Sequence, residues 1–252
     1  MFIDTHCHMS LEYYDDIDRI INENINAGID RIIISGCDKK EIDTTIEYIN
    51  KYDIAYATIG YHPSEVETVD DTDIEELKNK ILSNKKIVGI GEIGLDYHYS
   101  KENNKMQKEL FEKQLSIAEK LNLPVVIHSR DATKDTIDTL SKYNVKGIIH
   151  CFSGSLETAQ IYIKMGYKLG IGGVITFKNS KLFEVIENID LSNIVLETDS
   201  PYLTPEPFRG KINSSKYIPL IAKKIADIKS ISIDEVSKIT LKNTYNIFDL
   251  NE

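Results

Sequence analysis

Short apolar, β-branched runs alternate with longer amphipathic stretches from one end of the chain to the other. The runs Phe2–Asp4, Arg31–Ser35, Ile54–Ile59, Ile87–Gly91, Pro124–His128, Lys146–His150, Lys168–Ile171 and Asn193–Glu197 read as buried strands. Between them apolar residues recur with a helical period, as at Ile17, Ile20, Ile21 and Ile25 before Gly28, and at Ile42, Ile46 and Ile49. The same period predicts helices over Asp73–Leu82, Asn104–Leu121, Ala132–Tyr143, Ser155–Met165, Lys181–Ile189 and Lys216–Ile228, with a last one over Ser232–Phe248. Strands that alternate with helices imply parallel βαβ units. Eight such units in 252 residues, with no linker and no compositional shift, predict an α/β fold of one domain over residues 1–252, a (β/α)8 TIM barrel. The competing layout, an open doubly wound sheet, binds phosphate through a glycine-rich turn after its first strand. Here that turn reads Thr5-His6-Cys7-His8 and holds no glycine.

The barrel reading directs attention to the C-terminal ends of the strands, which converge on the rim where such folds place their chemistry. Five of the six histidines fall there: His6 and His8 after the first strand, His62 after the third, His128 after the fifth and His150 after the sixth. Glu92, Glu197 and Asp199 occupy equivalent places. Imidazoles and carboxylates gathered from several strand ends suit a divalent metal ion. In extended backbone, residues two apart face one side, so His6 and His8 can enter one cavity while Cys7 points away. The sixth histidine, His98, lies in a loop and reads as a surface or substrate-side residue. Cys151 reads as a small buried side chain, and the Asp70-Asp71-x-Asp73 cluster as a solvated helix start.

Charge and cysteine content narrow the setting. Thirty Lys and Arg against forty Asp and Glu give a net charge of −10, which argues against a basic patch that coats nucleic acid or anionic membrane. Bound cations could still supply local positive charge. Three cysteines are too few and odd in number for a disulfide framework, and the first residues lack the basic-then-apolar pattern of a secretory signal, so a cytoplasmic protein is expected. No apolar run reaches the length of a membrane span.

Seven stretches taken together resemble the TatD family of metal-dependent deoxyribonucleases, among the amidohydrolase-like metal barrels. They are Phe2-Ile3-Asp4-Thr5-His6-Cys7-His8; Ile59-Gly60-Tyr61-His62-Pro63; Gly89 to Tyr97, reading Gly-Ile-Gly-Glu-Ile-Gly-Leu-Asp-Tyr; Pro124 to Arg130; His150-Cys151-Phe152-Ser153-Gly154; Leu196 to Leu203; and Thr204-Pro205 through Arg209-Gly210-Lys211-Ile212-Asn213. One departure is visible: after Asn213 the family continues with Glu-Pro, whereas this chain reads Ser214-Ser215. That puts in doubt any substrate contact by an acid at this loop.

The resemblance implies two divalent ions, one held by His6, His8 and Asp199 and the other by His128 and His150, with Glu92 bridging. No lysine ends the fourth strand to serve as a carboxylated bridge, so Glu92 supplies that charge. The donor set leaves zinc, manganese, magnesium, cobalt and nickel open. A metal-bound hydroxide would attack a phosphodiester, with Asp199 taking the proton. His62, Arg130, Arg209 and Lys211 are candidates to bind the phosphate, Arg209 as a planar fork and Lys211 as a point charge. Tyr97, Tyr202 and Phe208 are candidates to stack on bases. The expected activity is hydrolysis of DNA, as a 3′–5′ exonuclease on single strands that it holds briefly. The alternative is a hydrolase of a small ester, lactone, amide or aminoacyl–nucleic acid bond on the same two-metal barrel.

Overall fold

In the computed structural model of the chain, which describes residues 1–98 and 102–250, eight strands alternate with helices as the pattern predicts. The strands are β1 (Phe2–Cys7), β2 (Ile29–Gly36), β3 (Ala55–Ile59), β4 (Ile87–Asp96), β5 (Val125–Arg130), β6 (Gly147–Ile149), β7 (Lys168–Ile171) and β8 (Ile194–Leu196). They follow chain order in one parallel sheet, the order of a (β/α)8 barrel. The helices are α1 (Ile17–Asn26), α2 (Lys39–Lys51), α3 (Asp71–Ser83), α4 (Asn104–Leu121), α5 (Thr133–Leu140), α6 (Leu156–Lys164), α7 (Leu182–Asn188), α8 (Ile218–Lys229) and α9 (Ile233–Phe248). Side-chain caps fix several starts: Asp16, Asp38, Ser155 and Ser232 each accept a hydrogen bond from a backbone N–H in the first turn.

Asp70 and Asp73 form a reciprocal capping box at α3, and Asp73 is buried and paired with Lys39 at 2.8 Å. The acidic cluster is therefore a cap and an ion pair; Asp73 does not belong to a solvated face. Among the described residues no helix is long and apolar enough to cross a membrane.

The chain divides into two units. The first comprises Met1–Ile34 and Cys151–Glu252, the second Ser35–His150. In the first, β1 pairs with β2 and β7 with β8, and Cys7 bridges to Ser200. Its core holds Ile32, Ile33, Ile34, Leu169, Ile171 and Val195, covered by Ile221 and Ile225 of α8 and Val236 of α9. In the second, β3, β4, β5 and β6 pair in succession. There Ile90, Ile93, Val125, Val126 and Ile127 are buried with Phe111 and Leu115 of α4. Side chains of this size contribute about 1.5–3 kcal/mol each on burial, so each unit carries its own apolar core.

Four strands run past the sequence boundaries. β1 extends to Cys7, β2 to Gly36, β4 to Asp96 and β5 to Arg130. His6, Glu92 and His128 sit within strands: His128 pairs with Gly94 on the ladder, while His6 and Glu92 lie at register irregularities of β1 and β4.

Candidate metal clusters

Each unit gathers its own set of imidazoles and carboxylates. In the first unit alternation along β1 puts His6 and the following His8 on one side. Their Nε2 atoms approach to 3.2 Å. Asp199 Oδ1 lies 3.7 Å from Nε2 of His6 and 3.8 Å from Nε2 of His8. Between them Cys7 turns away, buried, with its thiol donating to the carbonyl of Ile33 at 3.6 Å.

The backbone around this set is heavily tied. Asp199 adopts a left-handed conformation, φ +54°, one that aspartate tolerates better than most non-glycine residues. Its N–H donates to the carbonyl of His6, and the N–H of His8 donates to the carbonyl of Ser200. Beneath lies Asp4, fully buried, accepting from the N–H of His6 at 3.2 Å, the N–H of Thr198 at 3.0 Å and the Thr198 hydroxyl at 2.6 Å. Burial pushes its carboxyl up to about 7, while the Thr198 hydrogen bond pulls the other way. Asn213 completes the support, donating through Nδ2 to the carbonyls of Thr198 at 2.9 Å and Tyr202 at 2.6 Å. Asp4 and Asn213 were visible in the sequence only as motif residues.

In the second unit Glu92 is the hub. Its Oε1 accepts from Nδ1 of His128 at 2.6 Å and lies 3.6 Å from Nε2 of His150 and 3.9 Å from Nε2 of His62. On its other side His128 donates through Nε2 to Asp96 Oδ2 at 3.2 Å. Burial pulls the His128 imidazole down, but the Glu92 charge and the hydrogen bonds to Asp96 and Glu92 outweigh it and hold the ring up at about 9. Burial likewise pushes Asp96 up, and the hydrogen bonds from His128 and the His98 N–H overcome that, leaving it below the usual carboxylate range. Asp96 was quoted in the sequence motif without a role; its extension of β4 puts it beside His128.

Both sets fit a divalent cation. Nitrogen and oxygen ligands at about 2.0–2.2 Å from an ion stand about 3.0–3.4 Å apart at right-angled to tetrahedral openings. The His6–His8 pair, at 3.2 Å, already has that spacing. Glu92, His128 and His150 bring one donor atom each within 4.8 Å of one another, as do His62, Asp96 and His128. An imidazole–carboxylate mixture accepts zinc, manganese or nickel and excludes no member of the first-row series.

The remaining candidates divide. His62, expected at the phosphate, joins the Glu92 set, its ring 4.5 Å from that of His128. Glu197 accepts from the N–H of Cys151 at 2.7 Å, a bond that holds the backbone just after His150. Cys151 is half-buried, not enclosed as expected. Arg130 ends β5 and is exposed. Arg209 lays its guanidinium 4.0 Å from the Phe177 ring centre, and Lys211 places its ammonium 5.4 Å from that of Phe208. Phe208 itself stacks on Tyr217, and the Tyr97 hydroxyl donates to Asp135 at 2.9 Å, so both rings have partners within the protein. Tyr202 is exposed. His98 donates to Asp131 at 2.8 Å on the surface. Ser214 and Ser215, in place of the expected Glu-Pro, are both buried.

Comparison with known proteins gives the chain's family and fold. A family model described as TatD related DNase matches residues 3–249. The chain is 40% identical over its whole length, and that of its relative, to YabD of Bacillus subtilis, an uncharacterized metal-dependent hydrolase. It superposes on the crystal structure of YjjV, a TatD homolog from Escherichia coli, with a TM-score of 0.93 and 30% identity, covering 99% of this chain and 98% of that one. An organophosphorus hydrolase from Deinococcus radiodurans shares the fold alone, at TM-score 0.67 and 10% identity over 98% of this chain and 92% of that one.

Proposed function

Because the chain belongs to the TatD family of metal-dependent hydrolases, we propose that it hydrolyses phosphodiester bonds in DNA, working from the 3′ end of single strands. The observation that carries this reading is the pair of imidazole–carboxylate sets, His6, His8 and Asp199 in one unit and Glu92, His128 and His150 in the other. Each set would hold a divalent ion. Such ions, when bound, supply Lewis acidity toward a phosphoryl oxygen and make water acidic near neutral pH.

The chain's own groups do the rest. Asp199, fixed in its left-handed turn, orients the attacking water and accepts its proton. Asp4 keeps β1 and the segment after β8 in register, so that His6 and Asp199 hold their separation. Arg209 and Lys211, on the loop that follows Asp199, offer charge to the strand's phosphates. With a net charge of −10 the protein repels DNA at long range, so binding is modest, and the contacts of Arg209 and Lys211 with phosphates weaken with salt.

The test is cleavage of an end-labelled single strand by the metal-loaded protein. EDTA should abolish it, and so should His128→Ala and Asp199→Ala in proteins whose circular dichroism matches the parent. Cleavage that survives chelation, or persists in either variant, refutes the assignment.

A further inference from the structure

Four of the large apolar side chains left exposed sit on two loops of the first unit. Leu11 and Tyr13 follow β1, and Tyr202 and Ile212 follow β8, with exposures of 68, 38, 49 and 55%. Scattered exposed apolar residues need no explanation, but Tyr13 adjoins both Tyr202 and Ile212. The hydroxyls of Tyr13 and Tyr202 share a hydrogen bond of 2.8 Å, and their rings stand 5.6 Å apart at 74°. Tyr13 and Ile212 also face one cavity of about 180 Å³.

The pair is tied to the first cluster. The Tyr202 ring lies 6.4 Å from that of His8, edge to face. Its N–H donates to the carbonyl of Asp199 at 2.9 Å, and its carbonyl accepts from Asn213 at 2.6 Å. A flat group resting on Tyr202 is therefore held at a set distance from His8 and Asp199. The same loop carries Arg209 and Lys211, so the flat group that fits best is one joined to an anion. A base on a phosphodiester strand has that chemistry, and aromatic side chains bind bases without regard to sequence.

Resting on the nuclease reading above, we infer that Tyr202, steadied by Tyr13, is a nucleobase platform that favours an unpaired strand end. A base inside a duplex has both faces covered by its neighbours, whereas an unpaired end base offers a face to a tyrosine ring.

The experiment crosses two perturbations in the metal-loaded full chain. One substrate is an end-labelled single strand. Two others carry tetrahydrofuran, which has no base, at the 3′-terminal or the penultimate position. The parent should show a KM about 5- to 150-fold higher for one of the base-free strands, the range that one stacked base supplies. In Tyr202→Ala that ratio should collapse toward one; in Tyr202→Phe it should persist, and in Tyr13→Ala it should fall part of the way. General damage to the fold alters all substrates together and leaves the ratio standing, so the collapse is diagnostic. Equal KM for all strands in the parent, or an undiminished ratio in Tyr202→Ala, overturns the platform while the nuclease reading stands. No cleavage of any strand with manganese, zinc or magnesium overturns the nuclease reading itself.

Discussion

Replacing Gly94 with alanine should disable the second cluster through the backbone alone. Gly94 lies on β4 two residues past Glu92, pairs with His128 on β5 and has φ +150°. A Cβ built there meets the carbonyl oxygen of His128 at 1.9 Å, where real Cβ contacts do not fall below 3.0 Å. The β5 backbone must retreat by more than about 1 Å at the residue whose imidazole pairs with Glu92 and Asp96. The disfavoured φ adds about 1–3 kcal/mol, and with the disrupted ladder the cost is about 3–5 kcal/mol. For a chain of this size that lowers Tm by about 6–20 °C. A misplacement of about 1 Å also costs about a hundredfold in activity. Differential scanning calorimetry, metal analysis after dialysis and single-strand cleavage read the three effects. Gly166→Ala is the control: its φ is +91°, but no atom lies within 4 Å of the added Cβ, so only about 1–2 kcal/mol of backbone strain applies. A Gly94→Ala protein that melts within about 2 °C of the parent, keeps its metal and cleaves normally would refute the steric reasoning.

Gln114 of α4 is buried and clasps Tyr61, accepting from its N–H at 2.7 Å and donating to its carbonyl at 3.0 Å. Gln114→Leu strands both backbone groups next to His62, so a loss of about 2–5 kcal/mol is expected by chemical denaturation, and an unchanged midpoint would count against it. For Asp73, the hydrogen bond from Lys39 holds the carboxyl below its ordinary value, so its contribution to stability is present above the unfolded value of 3.8 and fades as pH falls through the lowered one. The Tm gap between the parent and Asp73→Asn should accordingly be widest near neutral pH and shrink below pH 4; a gap that widens in acid contradicts the ion pair.

Most of the architecture could be read from apolar periodicity, and for α4 and β7 even the boundaries agree. The strands that ran long show where that signal fails. In β4 the apolar run breaks at Gly91-Glu92, and the strand nevertheless continues to Asp96, because Gly94 lets β5 approach and the polar side chains find partners in the cluster. Chemistry interrupts the pattern at the place the site is built. The histidines were legible because five of six lie at or just past the C-terminal ends of apolar strand runs. Asp4, Asp96 and Asn213 were not, since a single buried polar residue has no periodic neighbours to announce it. The partners of Tyr97 and Phe208, Asp135 and Tyr217, lie in other segments of the chain and so have no signal in the local sequence.

The first unit is sewn from both ends of the chain, the second from one continuous stretch. During synthesis Glu92, His128 and His150 are all made before Asp199 exists. The second set can therefore mature on a nascent polypeptide while His6 and His8 wait for their acid. Until Ser200 arrives to bridge Cys7, β1 also keeps an unfinished edge, the kind of surface through which half-made proteins stick to one another. Truncation between residues 150 and 199 should yield aggregates, not a half-active fragment.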